Sequence, residues 1–158
     1  MTLFSQRVLA ACCVLAGLGL AGAAVAQDNE AAVAKRQDFM KAQGKDLGAV
    51  KAFLDGKGDL AAAQKGGEDL ASRTTQILGL FPPKTGMAEF PDKSRARPAI
   101  WADWNKFVAA QTNAAQKAAV LEAALKSGDK AKIQAAFGDM NKNGCGGCHT
   151  PFREPKKS

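Results

Sequence analysis

The sequence predicts an all-α protein, an antiparallel four-helix bundle, and three observations carry that prediction. Alanine is abundant and tyrosine absent, while β-branched residues are too scattered to build strands of period two. Apolar residues return at helical spacing over four separate stretches. Glycine, proline and Asx signals punctuate them, most legibly at Ser127-Gly128-Asp129, a stop followed by a cap. Four amphipathic helices joined by two short turns and one longer connection close into a bundle.

In chain order, residues 1–26 read as a cleaved export leader. Arg7 precedes an apolar run of Leu, Ala, Val and Gly, and Ala24-Val25-Ala26 is an A-x-A cleavage signal. A lipoprotein box at Leu9-Ala10-Ala11-Cys12 fits less well, because cutting there would bisect the apolar run. The run is also marginally long and Gly-rich for an uncleaved spanning helix. Removing 26 of the 158 residues leaves 132, residues 27–158, the size of one domain. No stable membrane insertion is expected once the leader is gone.

The first helix is expected from Asn29 or Glu30 to Leu54, with Phe39, Met40, Leu47, Val50 and Leu54 on its apolar face. Gly44 and Gly48 give it a flat spot where another backbone, or a flat ring, can approach. Asp55-Gly56-Lys57-Gly58 ends the pattern, and Asp59 caps a second helix running through Leu60, Leu70, Ile77 and Leu78 to Phe81-Pro82-Pro83. From Pro82 to Arg97 there is no periodicity, so a crossover connection is read, pinned by Met87 and Phe90. A third helix opens at Pro98 and continues to Leu125. The fourth carries Ile133, Phe137 and Met140 on a face that leads into Cys148 and Phe152.

That last helix holds the chemistry. Cys145-Gly146-Gly147-Cys148-His149 has the C-x-x-C-H spacing that attaches c-type haem: two thiols reach the two vinyl groups while the next imidazole reaches the iron. Cys145 and His149 share a helical face. A thioredoxin-like pair or half a zinc site fails on context, since the chain has one histidine, no second C-x-x-C and no strand pattern. Cys12 and Cys13 leave with the leader, so Cys145 and Cys148 form the thioethers of one covalent haem c. Export and this motif together point to the periplasm.

The formal net charge is +7, and Arg7 is the leader's only charged residue, so the mature part carries +6. Such a charge suits acidic partner proteins or anionic lipid and acts mainly on encounter rates. Nucleic acid is excluded: the basic residues are dispersed, without a basic run interleaved with aromatics.

With His149 alone, bis-histidine ligation within one subunit is impossible, and the sixth iron position falls to methionine, to lysine or to none. Met140 lies on the haem-bearing helix and reads as core. Met87 lies in the connection, and Met40 lies on the first helix beside the glycine flat spot.

These residues resemble a known family. Arg36-Gln37-Asp38-Phe39-Met40-Lys41, Arg97-Pro98-Ala99-Ile100-Trp101, Ala135-Ala136-Phe137-Gly138 and Cys148-His149 with Phe152-Arg153 are similar to segments of the class II cytochromes c, the cytochrome c′ and cytochrome c-556 group. The resemblance implies His149 as proximal iron ligand and, in the c-556 branch, Met40 as distal ligand. It also implies Arg36 at a haem propionate and Arg153 beside the proximal histidine. Pro151 departs from the pattern: lacking an N–H, it should kink or end the helix near Arg153.

The resemblance thus implies a one-electron carrier with a six-coordinate His/Met haem, serving redox partner proteins as a monomer or homodimer. The alternative is a five-coordinate cytochrome c′ that binds nitric oxide or carbon monoxide at an open iron. An enzyme is not expected, because no distal histidine exists to move protons.

Overall fold

The computed structural model describes the backbone of residues 18–156 and the side chains of residues 28–156. The expected leader, residues 1–26, therefore lies outside the described side chains. Among the described residues there is no strand, and no helix is long and apolar enough to cross a membrane.

Helix α1 spans Leu18–Leu54 and packs along α2, Leu60–Thr74. Between them Gly56 takes a left-handed φ of 72°, a conformation open to glycine, and the Asp59 carboxylate caps α2 by accepting from the Ala62 N–H at 2.6 Å. The close approach of these helices falls at Gly66 rather than at the expected Gly44 and Gly48. No protein atom comes within 4 Å of a side chain built at Gly44 or Gly48, whereas a Cβ at Gly66 would sit 2.6 Å from the Asp46 carbonyl oxygen. At Gly67 it would meet Leu125 Cδ1 at 2.3 Å.

The second helix stops earlier than its periodicity suggests. Gln111 donates to the Thr74 carbonyl at 2.8 Å, the Thr74 hydroxyl bonds back to Leu70 at 2.6 Å, and the chain turns into a short 3-10 segment, Ile77–Leu80. The third helix is likewise divided. After α3, Ala99–Ala102, Asp103 leaves helical geometry and its carboxylate accepts from the Lys106 N–H at 3.0 Å, starting α4, Trp104–Ser127. An internal Asx cap outcompetes helix continuation there.

Gly128, with φ 69°, ends α4, and Asp129 caps α5, Lys130–Asp139. The fourth helix then contains a π-turn, Met140–Cys145, before α6, Gly146–Phe152. Helices α1, α2, α4 and the α5–α6 segment form the antiparallel four-helix bundle. Val50, Leu70, Leu121, Leu125, Ile133 and Met140 fill one core cluster. Ile77, Ile100, Phe107 and Phe152 fill a second, at the end that carries Cys148.

The connection between α2 and α3 is held by Arg36 of α1, which is 5% exposed. Its guanidinium donates to the Leu80 carbonyl, the Thr85 hydroxyl, the Thr85 carbonyl and the Ser94 hydroxyl at 2.7–3.2 Å, and its plane lies 4.6 Å from the Phe81 ring centre. Met87 and Phe90 are half-buried in the same loop.

Candidate functional site

Two contacts orient the C-x-x-C-H segment. Phe152 is buried edge-on against Phe107 with ring centres 5.2 Å apart, which turns α6 inward. Past it the chain is stitched to the connection: Arg97 N–H donates to the Phe152 carbonyl at 3.0 Å and Glu154 N–H to the Arg95 carbonyl at 2.8 Å. Pro151 ends the helix as expected, since α6 closes one residue later, at Phe152, and Arg153 is extended.

Cys148 packs against the cluster of Ile100, Phe107 and Phe152, Cys145, one turn earlier, packs against the cluster of Leu121, Ile133 and Met140, and His149 follows Cys148 in α6. Both cysteines are free thiols and half-buried. Burial pushes the Cys148 thiol up to about 11 and raises Cys145 in the same direction. Burial also lowers His149 to about 4, and Arg153 and Arg95 add to that effect. The imidazole is therefore neutral at physiological pH, the form that ligates iron.

Met40 and Phe39 of α1 pack half-buried against the same cluster as Cys148, together with Leu78, Phe81, Trp101 and Ala110. The fold therefore brings Met40 and the haem-binding segment to one apolar shelf. Met140 is 2% exposed in the other cluster, the core position expected of it. Arg153 stands beside His149, its N–H donating to the His149 carbonyl at 3.0 Å.

Arg36, expected at a propionate, also holds the crossover connection. Four of its five N–H donors are committed to the connection, leaving Nε for any propionate. Sequence reasoning passed over Arg95, the second cation acting on His149. Arg95 carries no spacing signal, because the crossover places it. Trp101, of the Arg97-Pro98-Ala99-Ile100-Trp101 segment, donates its indole N–H to the Phe81 carbonyl at 3.2 Å.

The donor set fits haem. Two thiols one turn apart and a neutral imidazole stand beside a partly uncovered apolar shelf, which suits a flat apolar ring carrying its own metal. Among the described residues no three His, Cys, Asp or Glu side chains gather around a bare ion.

A family model described as Cytochrome C′ matches residues 31–153. The cytochrome c′ of Rubrivivax gelatinosus is 34% identical over 126 residues, covering 78% of this chain and 94% of that protein. The cytochrome c′ of Alcaligenes xylosoxydans xylosoxydans is 29% identical over 127 residues, covering 80% and 96%. Among solved structures, a cytochrome c′ of Rhodobacter sphaeroides aligns with a TM-score of 0.73 at 28% identity, covering 81% of this chain and 98% of that one. A nitric oxide complex of a mutant Alcaligenes xylosoxidans cytochrome c′ aligns with a TM-score of 0.70 at 29% identity, covering 81% and 97%. These matches support the cytochrome c′ group and give no support to the Met-ligated c-556 branch.

Proposed function

The chain belongs to the cytochrome c′ family, and on that premise we propose that it binds a small gas, nitric oxide or carbon monoxide, at a haem iron with an open sixth position. The observation that carries this reading is the likeness to a cytochrome c′ solved as its nitric oxide complex. Bound haem c supplies an iron that takes up a diatomic ligand and exchanges single electrons.

The chain's own residues do the rest. Cys145 and Cys148 would fix the ring by two thioethers, and His149 would ligate its iron. Burial keeps that imidazole neutral, with Arg153 and Arg95 adding to the effect. On this reading Met40 is a wall of the distal pocket rather than a ligand, and with Phe39 it excludes water and larger molecules. The replaced expectation, a His/Met electron carrier, required its thioether on the iron.

The protein works as a binding protein rather than an enzyme: its one histidine is committed to iron, leaving no distal acid or base. It acts in the periplasm after loss of residues 1–26, as a monomer or homodimer, with redox partner proteins maintaining the ferrous state. Titrating the dithionite-reduced protein with carbon monoxide and nitric oxide tests the reading. One gas per haem with a saturable Soret change is expected; a spectrum unmoved by either gas overturns it.

A further inference from the structure

The π-turn Met140–Cys145 in the fourth helix changes where the haem-binding residues point. On an uninterrupted α-helix each residue turns by about 100°. Cys148 and Phe152 would then lie about 80° and 120° from the face of Met140. Yet Ile133, Met140 and Phe152 are all buried, at 0%, 2% and 6%, and Cys148 packs against the cluster of Phe152. A π-turn takes up one extra residue. That removes about 100° and returns both residues to within about 20° of the buried face.

Side chains on either side hold the turn. A Cβ at Gly144 would lie 2.7 Å from Met140 Sδ and 3.3 Å from its Cε, so the methionine is folded over this glycine and its thioether end would have to shift to admit an alanine. From α4, Asn113 donates to the Asn143 carbonyl at 2.7 Å. One turn along the same face, Lys117 pairs with Asp139 at 2.8 Å, and Asp139 also accepts from the Asn143 amide at 2.6 Å. Asn113 and Lys117 thus grip both ends of the turn, against which α4 packs.

We propose that the π-turn Met140–Cys145 sets the rotational register in which both thiols meet the ring, and that Asn113 is the positioning residue holding it. In attachment each S–H adds across a vinyl C=C: a C–S bond forms, the C=C becomes a single bond, and the proton passes to the other vinyl carbon. The thiol presented at the wrong angle is left unreacted. The proposal rests on haem attachment and not on gas binding.

The test is to express Asn113→Leu, Gly144→Ala and a deletion of Lys142 with the full chain and count thioethers, by intact mass after thiol alkylation and by the pyridine haemochrome band. Asn113→Leu and Gly144→Ala are expected to yield holoprotein with a resolved fraction that takes up one alkyl group. That fraction should also show the red-shifted band of a haem retaining a vinyl. Deleting Lys142 removes the extra residue, so an ordinary α-helix now gives the same register and both thioethers are expected. Complete double attachment in both substitutions overturns the proposal. So does a folded deletion variant with a free thiol. If Gly144→Ala does not accumulate, Asn113→Leu carries the same comparison.

Discussion

Arg36 and Thr85 lie 49 positions apart, yet the Arg36 guanidinium donates to the Thr85 carbonyl at 2.7 Å and to its hydroxyl at 3.0 Å, both buried. This clasp fixes the crossover connection, and through it the strand-like contact between Ala96 and Arg153, four residues after His149. Arg36→Leu leaves Thr85 and Ser94 with lost partners in a dry setting and is expected to destabilise the protein by on the order of 3 kcal/mol. Arg36→Lys should recover only part of this, because an ammonium cannot reproduce the planar fork. Guanidinium chloride unfolding followed by circular dichroism measures both, and an Arg36→Leu protein of wild-type stability would remove the clasp from the account.

The two kinds of helical glycine should respond in opposite directions. Gly66→Ala drives a Cβ into the Asp46 backbone and is expected to cost about 1–3 kcal/mol. Gly138→Ala, exposed and with no atom within 4 Å of the new Cβ, is expected to stabilise by about 0.5–1 kcal/mol. Equal effects in thermal unfolding would contradict the assigned helix contact.

Phe107 is 1% exposed and meets Phe81 and Phe152 edge-on at 4.8 Å and 5.2 Å. Phe107→Ala is expected to lose about 3–5 kcal/mol. It should also loosen α6, seen as faster hydrogen exchange of the Phe152 and Arg153 amides.

Acid should weaken the start of α5. The Lys132 N–H, then that of Ala131, holds the Asp129 carboxyl below the usual carboxylate range. A group with a depressed folded pKa contributes stability above its unfolded value, about 3.9, and loses it as pH falls through the folded value. Asp129→Asn should therefore flatten the acid limb of a stability-against-pH curve while leaving its shape above about pH 5 unchanged. An acid limb identical to wild type would show that the charge of this cap contributes nothing.

Much of this was legible in the sequence because local chemistry decided it. Asp59, Gly128 and Asp129 cap where they stand, and C-x-x-C-H announces its own cofactor. What escaped depends on partners distant in the chain. Thr74 ends α2 because Gln111 takes its carbonyl, and Arg36 acts on Thr85 rather than on anything near it in sequence. Gly66 matters because Asp46 lies beneath it, while Gly44, at an equally suggestive position, meets no protein atom. The π-turn escaped because an unbroken 3.6-residue period was assumed through Met140. Met40, expected as the distal iron ligand, packs against the same apolar cluster as Cys148, but no spacing rule states whether its sulfur binds iron.

The ferrous electronic spectrum of the holoprotein, recorded for wild type and Met40→Ala before and after carbon monoxide, tests that question most directly. An open iron predicts a five-coordinate high-spin spectrum in both proteins, with carbon monoxide bound by both and more readily once the Met40 wall is removed. A six-coordinate low-spin wild type that ignores carbon monoxide, turned high-spin and gas-binding by Met40→Ala, would contradict the account and restore methionine to the iron.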